Sequence, residues 1–331
     1  MHSLGPSGID PETHVDDPLD PQIRRFVSAL AEAWAQYPDV ESLPAAEKRR
    51  IAEIVRTPWR QGGPAMAETR DIHLETRHGP VRARLHRPAS EIAAQPALIY
   101  VHGGGWTMFS LDTHDRIMRE LAARAGAVVV GIDYSLSPET KFPRALEEIV
   151  DATRALHGQA QALGIDPERL AIGGDSAGAN LSVTTSLLLR DAGSAPALRG
   201  MLLIYGCFID EISPEARNGF GAEGNLLTAA EMATFWHNYL ASPAEVLNPL
   251  VSPLRAELAG LPPAFVMGAQ CDVLAEQSRA LAGKLNGAGV DVQYTEYPGA
   301  THSFLEAVSI ADVADRALTD GAAWLRALFQ P

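Results

Sequence analysis

From Pro21 onward the apolar residues Ile23, Phe26, Val27, Leu30, Trp34 and Tyr37 recur at intervals of three and four, the spacing that lines one face of a helix. Ser42 and Pro44 signal the start of a second helix carrying Ile51, Ile54 and Val55. The glycines of RQGGPA then read as a linker. Residues 1–20, with three prolines and five acidic residues, read as a loose lead-in.

After the linker the period changes. DIHLETRHGPVRARLHRP alternates around Gly79-Pro80 and predicts a β-hairpin, while PALIYV, AVVVGI, RLAIGG, GMLLIYG and PAFVMGA are short apolar runs of buried strands. Helical stretches over 112–125, 143–163, 178–192 and 274–287 lie between them. Strand and helix in alternation predict an α/β fold with a mostly parallel sheet covered on both faces.

The alternation breaks once, between Gly206 and Pro249. There TAAEMATFWHNYL opens with a Thr228/Glu231 capping box and sets Met232, Phe235, Trp236 and Tyr239 along one side. This helix stands outside the repeat and, with the N-terminal helices, is expected to form a cap. The expected organisation is a cap segment over 1–62, a core of 63–206 and 249–331, and a cap insertion over 207–248.

Composition narrows the partners. Against 27 basic residues stand 41 acidic ones, a net charge of -14, so a phosphate backbone or an anionic membrane would be repelled. Hydrophobic residues at 46% and charged residues at 21% are ordinary for a globular chain. The two cysteines, Cys207 and Cys271, make neither a disulfide framework nor a metal-ligand pattern, and no metal is expected. The opening residues have no basic or apolar targeting region, and no apolar run approaches the roughly 18 residues of a membrane span. A cytoplasmic location is expected, and a homodimer stays open beside a monomer.

Chemistry enters at IGGDSAGAN, residues 172–180. A dinucleotide fingerprint fails on spacing, because Asp175 stands two after Gly173 and Ser176 two after Gly174. A phosphate loop fails because Ala179-Asn180 follows Gly178. The surviving pattern is Gly174-x-Ser176-x-Gly178 between a strand and a helix, the context of a nucleophile elbow. YVHGGGW then offers the N–H groups of Gly103, Gly104 and Gly105, with that of Ala177, as donors for an oxyanion.

With the order serine, acid, histidine, the base must follow Ser176, and of the ten histidines only His237 and His302 do so. His237 sits in the capped amphipathic helix; His302 follows the strand-like VQYTEYP. Asp272, just after PAFVMGAQ, is the candidate acid, with Glu276 as second choice. Asp272 can equally serve as the N-cap of the next helix. Trp34, Tyr37, Phe109, Phe220, Phe235 and Trp236 are candidates for a pocket wall or for plain core packing.

In this order and spacing, HGGGWTMFSLDTHDRIMRELA, DYSLSPETKFPRAL, GGDSAGAN, GAQCDVLAEQ and THSF resemble the hormone-sensitive-lipase-like carboxylesterases, or bacterial family IV, of the α/β-hydrolase superfamily. The resemblance implies an eight-stranded sheet flanked by helices under a helical cap. It also implies hydrolysis of a small-molecule acyl ester of short to medium chain. The implied triad is Ser176, Asp272 and His302, the implied oxyanion hole Gly103, Gly104, Gly105 and Ala177, and no cofactor is needed. The chain departs from the family with Ser135-Leu136-Ser137-Pro138-Glu139 for the common Arg-Leu-Ala-Pro-Glu, with Ala179 for a glycine, and with Val273 for a proline. An N-acyl or amide hydrolase, or a deacetylase, would keep the same triad. A non-catalytic small-ligand receptor on this fold would lack the histidine that His302 supplies.

Overall fold

The computed structural model describes residues 18–193 and 196–330. Most of the expected lead-in, 1–17, lies outside the described residues. In chain order come α1 (Pro21–Trp34), α2 (Ala45–Arg60), β1 (Glu68–Thr76), β2 (Gly79–Arg87), β3 (Gln95–Val101), α3 (Asp115–Ala125), β4 (Val128–Ile132) and α4 (Arg144–Gln159). They are followed by β5 (Ile165–Asp175), α5 (Ala177–Ala192), β6 (Met201–Ile204), α6 (Pro214–Asn218), α7 (Ala229–Tyr239), β7 (Ala264–Cys271), α8 (Ala275–Gly287), β8 (Val292–Thr301) and α9 (Asp312–Leu328).

The strands form one eight-stranded sheet in the order β1-β2-β4-β3-β5-β6-β7-β8. β1, β2 and β4 pair antiparallel, and every pairing from β4 through β8 is parallel. Side chains alternate between faces along a strand. In β3, Ala97, Ile99 and Val101 belong to the core beneath α4, α5, α7 and α8, while Leu98 and Tyr100 belong to the core beneath α1, α2, α3 and α9. Burial on both faces explains why these strands read as unbroken apolar runs.

Helix ends differ from the sequence expectation where side chains intervene. α3 starts at Asp115 rather than 112, because the hydroxyls of Ser110 and Thr113 bond backbone groups of 110–112 and hold a turn there. α4 stops at Gln159 rather than 163, before a turn in which Gly164 has φ +62. α1 begins where Asp20 accepts from the N–H groups of Gln22 and Ile23 at 2.7 and 3.3 Å, with Pro21 at its first position. The Thr228/Glu231 capping box forms at α7, with bonds of 3.1 and 2.8 Å.

α2 and α7 are both held by the segment 137–142. The guanidinium of Arg49 on α2 donates to the carbonyls of Thr107 and Ser137 at 2.7 Å each and to both carboxylate oxygens of Glu139 at 2.6 and 3.0 Å. Lys141 Nζ donates to the carbonyls of His237, Asn238 and Leu240 at 2.8–3.1 Å, satisfying the orphan acceptors at the negative end of α7. The Ser137 N–H donates to the Trp106 carbonyl at 2.8 Å. Among the described residues no helix is long and apolar enough to cross a membrane.

Candidate active site

β5 runs directly into α5 through Ser176, whose φ of 53° and ψ of -119° lie in a region that non-glycine residues rarely adopt. The turn is possible because strand and helix both press on the end of β3. A Cβ at Gly178 would stand 2.7 Å from the carbonyl carbon of Val101, and one at Gly174 would overlap the Val101 oxygen. The Ser176 N–H donates to the carbonyl of Ile204 at 2.9 Å, which fixes the elbow to β6.

Two neighbouring strand ends supply the partners. Asp272 follows β7 and His302 follows β8, so both arrive at the carboxyl edge where β5 ends. His302 Nε2 lies 3.0 Å from Ser176 Oγ, and His302 Nδ1 lies 2.8 Å from Asp272 Oδ2. A carboxylate only accepts, so Nδ1 carries the proton and Nε2 is left with a lone pair facing the serine hydroxyl. The other carboxylate oxygen of Asp272 accepts from the Leu274 N–H at 3.0 Å. Asp272 therefore closes a short turn rather than capping α8, whose cap position is Leu274. Glu276 and His237, the alternatives for acid and base, are exposed on α8 and α7.

The loop after β3 presents backbone donors. Gly104 takes φ +108 and its carbonyl accepts from the N–H groups of Thr107 and Met108 at 3.0 and 2.8 Å, winding the loop back on itself. The expectation for Gly103 does not hold: its N–H already donates to Asp175 Oδ1 at 3.0 Å. Among the described residues no acceptor takes the N–H groups of Gly104, Gly105 or Ala177.

Behind the elbow lies a buried polar group that sequence reasoning did not find. Asp175 also accepts from the Tyr100 hydroxyl at 2.7 Å and faces His114 Nε2 at 3.3 Å. Burial favours the neutral acid, but His114 and Tyr100 outweigh it and hold the carboxyl below its ordinary range. Tyr205 packs edge-on to the His302 ring, with centroids 5.0 Å apart. Arg56 of α2 reaches Glu306 at 3.3 Å, four residues beyond His302, and its guanidinium lies over the Phe109 ring at 5.0 Å.

The six aromatic candidates separate. A Cβ at Gly104 would come within 2.8 Å of the Phe109 ring, and one at Gly105 would overlap the Phe235 ring, so these two side chains flank the loop. Trp236 is buried in a cluster with Trp106 and Tyr239, where Trp106 lies 4.5 Å from Trp236 and stacks on Tyr239 at 4.3 Å. Trp34 and Tyr37 pack on the core beneath α1 and α2, and Phe220 is half-buried between α6 and α7. Among the described residues no group of three or more His, Cys, Asp and Glu side chains is arranged to hold a metal ion.

Residues 98–306 match the α/β-hydrolase fold family. A hyperthermophilic esterase from the archaeon Pyrobaculum calidifontis is 34% identical, with a TM-score of 0.86 over 94% of this chain and 99% of that one. A thermostable carboxylesterase cloned from a metagenomic library is 35% identical, with a TM-score of 0.84 over 88% and 99%. A thermostable esterase from Pseudomonas putida is 30% identical, with a TM-score of 0.87 over 95% and 98%. With its matched span, its sheet order and its elbow between β5 and α5, the chain belongs to the α/β-hydrolase fold family, and its motifs are those of the hormone-sensitive-lipase-like branch.

Proposed function

We propose that this chain is a serine carboxylesterase that hydrolyses short- to medium-chain acyl esters through an acyl-enzyme at Ser176. The observation that carries the reading is the hydrogen-bonded string Ser176 Oγ, His302 Nε2, His302 Nδ1, Asp272 Oδ2, with links of 3.0 and 2.8 Å. Its support from relatives is that the proteins named above are esterases.

His302 Nε2 takes the hydroxyl proton as Ser176 Oγ attacks the ester carbonyl, and the imidazolium so formed is stabilised by the Asp272 carboxylate. The N–H groups of Gly104, Gly105 and Ala177 receive the oxyanion, where donors fixed in advance lower the barrier without reorganising. The alcohol leaves with the proton from His302. Water, deprotonated by the same histidine, then releases the acid. Phe109 and Phe235, on the two sides of the donor loop, are assigned to the walls of the substrate pocket. With a net charge of -14 and no long basic cluster, the enzyme is assigned to small soluble esters rather than to an anionic surface.

The test is turnover of p-nitrophenyl esters from acetate to dodecanoate by the wild-type protein and by Ser176→Ala. Loss of a triad serine costs on the order of a millionfold in turnover. Near-full activity of a folded Ser176→Ala protein would sink the assignment, and a rate that peaks only at the longest chains would sink the acyl range.

A further inference from the structure

We propose that His114 is a positioning residue for the donor loop 103–105, acting through the carboxylate of Asp175. The proposal rests on the esterase reading for the meaning of the loop, but its geometry stands apart from the triad. Asp175 is the residue before Ser176, and one of its oxygens accepts the Gly103 N–H at 3.0 Å. A single carboxylate thus ties the nucleophile elbow to the first residue of the loop. The approach is close enough that a Cβ at Gly103 would stand 3.1 Å from the Asp175 carboxyl carbon and nearer still to its oxygen.

The other oxygen of Asp175 has His114 Nε2 at 3.3 Å. His114 stands at the start of α3, 2% exposed. Its Nδ1 lies 2.9 Å from Thr113 Oγ1 and 3.3 Å from the Ser110 carbonyl, so acceptors await both ring nitrogens. The groups that face it are Tyr100 from β3, His102 just after that strand, Asp175 at the end of β5, the Phe109 ring, and Glu306 after β8 with Arg56 of α2 behind it.

Burial opposes a charge on His114, but Asp175 and Glu306 together outweigh it and favour the imidazolium. His102 is the reverse case: burial and the neighbouring His114 pull it down to about 3, so it stays neutral. Without His114, Asp175 would keep Tyr100 and Gly103 as donors to one oxygen but lose the partner of the other, and a buried carboxylate in that condition takes up a proton or turns away. A proton on Asp175 weakens the bond that its oxygen accepts from the Gly103 N–H, and a turn of the side chain breaks it. The loop donors matter most as the oxyanion forms, so the loss falls on kcat more than on KM.

The experiment compares the wild-type protein with His114→Gln, which keeps a donor near the Nε2 position without the charge, and His114→Phe, which keeps a ring without donors. Two readouts are taken: kcat and KM on p-nitrophenyl butyrate, and amide hydrogen exchange of residues 102–109, which needs no activity. The expected result is kcat lower by ~100-fold in His114→Phe, as for a small misplacement of catalytic groups. His114→Gln falls between it and the wild type, KM changes less than about threefold, and loop exchange quickens in the same order. If His114→Phe does not fold, His114→Gln carries the test. Wild-type kcat in both variants, or a lost kcat with unchanged loop exchange, would overturn the proposal. An inactive wild-type protein would remove the esterase reading, and the exchange measurement would still decide for or against His114.

Discussion

Gly178 and Val101 meet backbone to backbone: the first turn of α5 lies so close to the end of β3 that a Cβ at Gly178 would stand 2.7 Å from the Val101 carbonyl carbon. No side-chain rotation relieves such a contact, so either α5 or β3 must move. Gly178→Ala is therefore expected to lose several kcal/mol of stability, read as a drop in the urea midpoint. Its neighbour behaves oppositely. Ala179→Gly, which introduces the residue common in the family, should cost only ~0.5–1 kcal/mol through helix propensity.

Asp272→Asn keeps the shape of the acid, and its carbonyl oxygen can still accept the Leu274 N–H. The amide nitrogen would then donate toward His302 Nδ1 and force the proton to Nε2, the wrong side for accepting from Ser176. A drop of about 10⁴ in kcat with intact folding is expected, as for the same change in other triads. Steady-state kinetics with circular dichroism checks both halves. A loss below tenfold would mean that Asp272 does not set the tautomer.

Stability should fall in mild acid because of two buried histidines. Burial pushes His86 down to about 4 against the opposing pull of Asp115, and burial with His114 pushes His102 down to about 3. Both folded values lie below the ordinary 6.5, so between 6.5 and those values the unfolded chain binds more protons. The stabilisation is thus present above pH 6.5 and is lost as pH falls toward 4 and 3, by at most ~1.4 kcal/mol per pH unit for each histidine. Urea midpoints at pH 6.0, 5.25 and 4.5, below the range in which the raised His114 contributes with the opposite sign, should decrease in that order. His86→Gln should flatten the slope by about half, and an unchanged slope would remove His86 from the account.

Lys141→Met removes the cation from the carboxyl end of α7 while keeping the length of the side chain. Three carbonyls then lose their charged donor, a loss of about 2 kcal/mol in a partly exposed setting. Limited proteolysis should cut within 207–248 faster than in the wild type. Equal cleavage rates would show that Phe142, whose N–H donates to the Tyr239 carbonyl at 2.8 Å and whose ring meets Tyr239 edge-on, holds α7 with the aromatic cluster and without the lysine.

Much of the fold was legible because its signals are local. Alternation in β1 and β2, unbroken apolar runs in β3 through β7, and the capping box at Thr228 each arise within a few residues. α9 left a fainter trace: its buried face includes Ala314, Ala317, Gly321 and Ala322, small residues that do not stand out as an apolar stripe. Chain order and strand ends point to Ser176, Asp272 and His302, whose side chains stand in hydrogen-bonding sequence at 3.0 and 2.8 Å. Asp175 was in plain view inside the motif, yet its partners Tyr100 and His114 come from two other segments and leave no shared pattern. The engagement of Gly103 could not be read either, because a run of three glycines looks the same whichever N–H is already taken.

The segment 137–142 gives α2 and α7 a common datum. Arg49 refers α2 to it, Lys141 refers α7 to it, and the Ser137 N–H refers it in turn to Trp106 at the end of the donor loop. Ser135 fixes its lead-in, with N–H and hydroxyl both 2.8 Å from the Glu148 carboxylate. This is the stretch where the chain carries Ser-Leu-Ser in place of the common Arg-Leu-Ala. A difference in substrate breadth between this protein and its relatives would be written there, in the registration of α2 and α7 over the sheet, rather than at Ser176, Asp272 and His302.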